Sequence, residues 1–251
     1  MDNCEINDPF IYINKNSISK ILCKEIISKF EDNEQIKVNG LVGSGFRPDI
    51  RNTFALDIDK KSVKWIKIYN FLFKELSRNI HKYMKFIDKD FNDNVISNNL
   101  CPGFFLQFDD FIIQKYLKNE GFYINHNDFL CDYFLKRYRL FSYIFYLNDV
   151  IEGGETEFYN GKYKIKPESG KLVIFPSSWT YPHCGKMPLS SHKYIITGWI
   201  YCNENKYVIN KVNQISDYMN TNKFSNIISN DNEDNRIINN TKTNIEIPKY
   251  L

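Results

Sequence analysis

Hydrophobic positions recur along this chain with two periods, and the switch between them divides it. Ile18, Ile21, Leu22, Ile26 and Phe30 follow helical spacing after Ser17, which predicts a first helix capped by Ser17 and ended by Glu31-Asp-Asn-Glu. Gly40-Leu-Val-Gly-Ser-Gly-Phe-Arg-Pro reads as a flexible loop, followed by a short extended piece over 51–58. Residues 60–88 carry the strongest helical signal. Trp65, Ile66, Tyr69, Leu72, Phe73, Leu76, Ile80, Tyr83, Met84 and Ile87 form one wide apolar face with Lys and Glu opposite it. A polar loop over 88–99 follows, and from about residue 104 the period falls from 3.6 to 2.

Strand-like runs then follow one another at 104–108, 111–116, 140–147, 156–159, 162–166, 171–175 and 193–201. Glu152-Gly-Gly, Asn160-Gly161 (a two-residue hairpin signal) and Pro167-Glu-Ser-Gly170 supply turns between them. No long amphipathic helix fits between 140 and 202, so an antiparallel sandwich or barrel is expected, with the N-terminal helices packed on one of its sheets. Three regions result: a helical and extended support region over 1–103, a β core over 104–203, and an Asn-rich tail over 204–251 with one short helix near 205–220.

Composition removes several function classes. At 251 residues with 43% hydrophobic and 16% aromatic content, the chain can bury a large core. A net charge of +3 gives no reason to expect nucleic acid or a membrane surface as partner, and the longest apolar runs are strand-sized. Gly43-Ser-Gly45 lacks the third glycine and the following helix of a dinucleotide turn. Met1-Asp-Asn-Cys-Glu-Ile-Asn-Asp has neither the basic start nor the apolar run of a secretory signal. The six cysteines (Cys4, Cys23, Cys101, Cys131, Cys184 and Cys202) form no Cys-x-x-Cys pair and read as reduced thiols, which places the protein in the cytoplasm or another reducing intracellular compartment.

The candidate chemistry centres on Gly121-Phe-Tyr-Ile-Asn-His126-Asn-Asp128-Phe. On a strand, residues i and i+2 share a face, so His126 and Asp128 can offer an imidazole nitrogen and a carboxylate oxygen to one point. That is two thirds of the 2-His-1-carboxylate set that leaves open positions on Fe(II). The chain has four histidines, at 81, 126, 183 and 192. His81 sits beside an apolar helical stripe and His192 in a Ser-Ser loop; both read as structural or solvated. His183, 57 residues after His126 and before the last strand, fits a third ligand, with a strand-end histidine bonded to backbone as its plain alternative. Ten residues later, Lys193 opens an otherwise apolar strand. Facing the barrel interior it would require an anion, whereas at a strand mouth it would need only water, and spacing alone leaves both open.

Taken in order, Tyr116, His126-Asn-Asp128, Tyr146-Leu-Asn-Asp-Val150, Gly153-Gly-Glu-Thr156, Lys166-Pro-Glu-Ser-Gly170, Leu172–Phe175, His183, Lys193 and Trp199 resemble the prolyl 4-hydroxylase branch of the Fe(II)/2-oxoglutarate-dependent dioxygenases, over roughly residues 108–202. Arg51-Asn-Thr53 is also similar to a stretch that precedes that family's long helix. The resemblance implies a mainly β fold with a double-stranded β-helix (jelly-roll) core. It implies His126, Asp128 and His183 as iron ligands, with Lys193 and Tyr116 holding the distal carboxylate of 2-oxoglutarate. Arg139 and Trp199 match positions along the family's peptide groove. The implied activity hydroxylates prolyl residues of a protein or peptide, consuming O2 and releasing succinate and CO2, with L-ascorbate as accessory reductant. The chain departs from the pattern at an extra residue between Tyr116 and His126, at Met187-Pro188 and at Ser191. Two other functions fit the same features: an oxygenase of this core acting on lysyl groups or nucleic-acid bases, where arginine usually replaces the lysine, or on small molecules, and a silent barrel that only binds partners.

Overall fold

Two antiparallel sheets share the strands that the alternating segments predict. They are seen in a computed structural model that describes residues 8–32, 38–39, 41–42, 45–87 and 106–203. The first part of the chain gives β1 (Tyr12–Asn14), α1 (Lys20–Glu31), β2 (Val38–Asn39), β3 (Leu41–Val42), β4 (Gly45–Phe46), β5 (Arg51–Asn52), β6 (Phe54–Asp57) and α2 (Ile66–Ile87). Then come β7 (Leu106–Phe108), β8 (Ile112–Tyr116), β9 (Phe122–His126), β10 (Cys131–Asp132), β11 (Arg137–Tyr146), β12 (Thr156–Phe158), β13 (Tyr163–Ile165), β14 (Leu172–Pro176), β15 (His183–Gly185) and β16 (Lys193–Asn203). The expected polar loop at 88–99, parts of the glycine loop near 40–44 and the tail with its short helix lie outside the described residues.

The larger sheet runs β1-β14-β11-β16-β8-β6-β2, with β10 also on β11 and β7 also on β16. The smaller runs β13-β12-β15-β9-β5. From β8 onwards the chain alternates between them: β8, β11, β14 and β16 lie in the larger sheet, and β9, β12 and β15 in the smaller. The N-terminal region contributes to both, since β1 and β6 extend the larger sheet and β5 the smaller.

Residue parity fixes what each face of the larger sheet meets. Phe141, Tyr143 and Phe145 of β11, Leu172 and Ile174 of β14, and Ile196 and Ile200 of β16 pack with the apolar stripes of α1 and α2. Their alternate neighbours Ile144, Tyr146, Val173, Phe175 and Ile195 form a second cluster with Phe158 and Ile165 of the smaller sheet. Ile68, Tyr69, Leu72, Leu76, Ile80, Tyr83 and Met84 make the buried stripe of α2. Each such aliphatic side chain contributes about 1.5–3 kcal/mol by leaving water. The helices therefore support the larger sheet from outside, and the space between the sheets is left for the site.

Three local expectations change. The N-cap of α1 is Ser19, whose side chain accepts from the Leu22 N–H (3.2 Å), not Ser17. The Ser17 hydroxyl instead donates to the buried Glu75 carboxylate (2.8 Å). With this start, Cys23, Ile26 and Phe30 face inward and Ile21 is exposed. Helix α2 begins at Ile66, after turns in which the Ser62 N–H donates to Asp59 O and the Trp65 N–H to Ser62 O. The β12–β13 connection is longer than a two-residue hairpin: Phe158 pairs with Tyr163, and Tyr159, Asn160 and Gly161 all take positive φ. Cys23, Cys131, Cys184 and Cys202 are free thiols, and no described helix is long and apolar enough to cross a membrane.

Candidate metal centre

His126 ends β9 and His183 opens β15, and the two are register partners in the smaller sheet. Their rings lie 4.3 Å apart between centroids. Asp128 lies beyond the end of β9, so it reaches the histidines from a loop and not by strand alternation. Its Oδ1 is 3.9 Å from His126 Nε2 and its Oδ2 is 3.5 Å from His183 Nε2. One donor atom from each of the three residues lies within 4.8 Å of the others, a spacing that can hold one metal ion.

The main chain sets the chemical form of both imidazoles. His126 Nδ1 is 2.8 Å from Ile124 O and His183 Nδ1 is 3.0 Å from Tyr181 O. A carbonyl only accepts, so each Nδ1 carries the proton and each Nε2 keeps a lone pair for a metal. Burial, with His183 adding to it, pushes the His126 imidazole down to about 4, which keeps it neutral at physiological pH. Burial raises the Asp128 carboxyl, but His183, His126, the Ser142 hydroxyl and Arg139 outweigh it and hold the group below the usual carboxylate range. Ser142 Oγ donates to Asp128 Oδ2 (2.7 Å), and Ser177 Oγ lies 2.8 Å from Ser142 Oγ. Two imidazoles and one carboxylate facing a cavity are the donor set Fe(II) accepts with positions to spare.

The donors open into a cavity of about 390 Å³ that Tyr116, Arg139, Lys193 and Trp199 also line. Lys193 is 1% exposed. Its ammonium donates to Gly154 O (2.8 Å) and sits 4.3 Å from the centre of the Tyr116 ring, its register partner on β8. Gly154 has φ of +75°, which aims its carbonyl at the lysine. No carboxylate among the described residues lies within 4 Å of this ammonium. Burial pushes it down to about 7, against the weaker opposing pull of Glu155 and Cys184. The Tyr116 hydroxyl, pushed up to about 12 by burial, has a long contact to Gln114 Oε1 (3.4 Å). Arg139 stacks over Trp199 at 3.5 Å and reaches Tyr201 Oη (3.3 Å) and Asp128 O (3.4 Å).

All seven residues singled out from the sequence thus border one space. His192 lies outside it, exposed, with its Nδ1 accepting from the Lys118 N–H (2.8 Å). Sequence reasoning passed over Tyr123, Ser142 and the cavity-side role of Arg51. Tyr123 stacks on the His126 ring at 3.5 Å, with the Arg51 guanidinium 5.1 Å from the tyrosine ring centre. Strict alternation puts residues 123 and 126 on opposite faces. The register shift opposite His183 and Gly185 inserts an extra residue and brings both rings together.

Residues 111–201 match the model of a family described as the 2OG-Fe(II) oxygenase superfamily. A protein of Acanthamoeba polyphaga mimivirus named "Putative prolyl 4-hydroxylase" is 32% identical over 123 residues, covering 41% of this chain and 50% of that protein. This chain therefore spans about half the length of that curated relative. Among solved structures, a Trichoplax adhaerens prolyl hydroxylase in complex with a hypoxia inducible factor peptide fragment superposes with a TM-score of 0.60 at 19% identity, covering 83% of this chain and 89% of that one. The viral collagen prolyl hydroxylase of Paramecium bursaria Chlorella virus-1, in its 2OG complex, gives 0.53 at 20% identity, covering 79% and 99%. These structures share the fold, and the stretch that matches the 2OG-Fe(II) oxygenase superfamily model contains all three donor residues, the lysine and the tyrosine.

Proposed function

We propose that this chain is an Fe(II)- and 2-oxoglutarate-dependent dioxygenase that hydroxylates prolyl residues of a protein or peptide. In this reading residues 104–203 form a double-stranded β-helix core and residues 1–103 support it. Lys193 is the observation that carries it. A buried ammonium without a carboxylate partner is costly, and here it shares a cavity with three converging metal donors. A dicarboxylate that chelates a metal at one end and meets an ammonium at the other answers both features.

His126, Asp128 and His183 would hold the iron, and Lys193 with Tyr116 the distal carboxylate. When bound, Fe(II) and 2-oxoglutarate supply the oxidising chemistry: O2 is consumed, succinate and CO2 leave, and one oxygen atom enters the substrate as hydroxyl. The chain's own residues supply position. Ile124 O and Tyr181 O fix the imidazole tautomers, Ser142 fixes the Asp128 carboxylate, and Ile144, Phe175 and Ile195 make an apolar wall that limits water. Arg139 and Trp199 form a rigid stacked edge for the peptide. L-ascorbate is the expected reductant for iron oxidised in unproductive turnover. The free thiols suit a reducing compartment. A prolyl substrate follows the named relatives and the lysine at the co-substrate position; a silent binding barrel gains nothing from an uncompensated buried lysine.

The test is succinate release from 2-oxoglutarate by the Fe(II)-loaded chain, with and without proline-containing peptides followed by mass spectrometry. Peptide-stimulated succinate with one added oxygen on proline is the expected result. Metal binding without any succinate would overturn the reading.

A further inference from the structure

The mouth of the cavity carries an apolar rim that neither the metal donors nor the lysine explain. Phe129 and Leu130 line the cavity yet are 52% and 43% exposed, and the chain then turns through Tyr133 (85%) and Phe134 (100%). This turn is firmly built. Asp132 Oδ1 accepts from the Leu135 N–H (3.0 Å), and Lys136 turns the chain with φ of +49°. At its base Arg137 donates to Asp132 (3.4 Å) and, through both terminal nitrogens, to Asp109 (2.7 and 3.0 Å), with its guanidinium 3.9 Å from the Tyr201 ring centre. A second exposed aromatic adjoins it. The Arg139 N–H donates to Leu130 O and the Ser177 N–H to Leu140 O (both 3.0 Å), so the loop that follows β14 and bears Trp179 (71% exposed) starts against β11 one residue from where the segment bearing Phe129 and Leu130 is held.

From this arrangement we infer that the rim of Phe129, Leu130, Tyr133, Phe134 and Trp179 binds large apolar side chains flanking the reacting residue, so that the substrate is a polypeptide with bulky apolar neighbours and not a Gly-rich repeat. The inference rests on the peptide-hydroxylating reading above. Continuity selects this occupant: the rim begins inside the cavity at Phe129 and Leu130, which share its lining with the Arg139–Trp199 stack, and continues along the chain to the exposed Tyr133 and Phe134. A held turn that extrudes aromatic groups presents them without a further cost of ordering its backbone, as a recognition surface does.

The experiment compares two sets of peptides around one central proline, with Leu and Phe or with Gly and Ser at the flanking positions, on the full chain. The kcat/KM ratio between the sets should be about tenfold in favour of the apolar set, carried by KM. In Phe134→Ser with Tyr133→Ser that ratio should collapse towards one, and Phe134→Leu should restore most of it. Equal kcat/KM on both sets, with peptides hydroxylated, overturns the rim and leaves the peptide reading intact. Dissociation of a dimer by the serine variant, seen by light scattering, also overturns it, because a second copy then covers the rim. Succinate release with no hydroxylation in either set overturns the peptide reading itself.

Discussion

Replacing Lys193 by Met should separate ligand binding from stability, because one buried charge acts on the two in opposite directions. Bound to a carboxylate, the ammonium is one member of a buried charged pair, and deleting one member of such a pair costs about 3–5 kcal/mol. At about 1.4 kcal/mol per decade, affinity for 2-oxoglutarate should fall by roughly two to three and a half orders of magnitude. Without ligand the same ammonium is 1% exposed and, among the described residues, has only Gly154 O as acceptor, so the apolar isostere should leave the protein as stable or more stable at pH 7. The pH dependence gives a second readout. Burial lowers Lys193 from 10.5 to about 7, so the unfolded chain binds more protons between those values and this group makes stability rise with pH across that window. Co-substrate binding runs the other way. Below about pH 7 the lysine is already charged and affinity is full; above it, binding must take up a proton and the Kd should weaken towards about tenfold per pH unit. Calorimetric titration of 2-oxoglutarate into the metal-loaded protein under anaerobic conditions, from pH 6 to 9, measures this directly. A wild-type Kd flat over that range, or a Met variant binding as well as wild type, would refute the reasoning.

Three further outcomes follow from the same geometry. Asp128→Ala removes the one carboxylate among the three donors and leaves two imidazoles, so metal binding measured by calorimetry and turnover measured as succinate should both be abolished; a fully active variant would remove the centre from consideration. Ser142→Ala takes away the hydroxyl 2.7 Å from Asp128 Oδ2, which should weaken metal affinity by about 10–100-fold while the fold, followed by circular dichroism, persists. Tyr143→Phe deletes a buried hydroxyl that has no hydrogen-bond partner among the described residues, so thermal unfolding should show a gain of about 1–2 kcal/mol, and a loss would mean that the hydroxyl is satisfied.

The sequence alone determined the parts whose signal is local. The stripe of α2 and the alternation of β11, β14 and β16 are written in side-chain periodicity, because a helix or strand must bury one face whatever it packs against. The three candidate donors and Lys193 were legible through order and spacing, since these chemically rare residues stand on a strand, at its end or, for Asp128, just beyond it. Tertiary structure decided the rest. Ser17 and Ser19 are alike as caps until Glu75, 58 positions away from Ser17, claims one of them. Lys193 could have faced water or the interior until β16 paired with β8 and set it against Tyr116. Tyr123 joined His126 only because of a register shift between β9 and β15, which no alternation rule anticipates. Ser142, on β11 of the larger sheet, reached Asp128, just past β9 of the smaller, only because the two sheets face each other across the site. Each of these depends on which strand lies beside which, and pairing is settled by the packing of the whole core, not by any one segment.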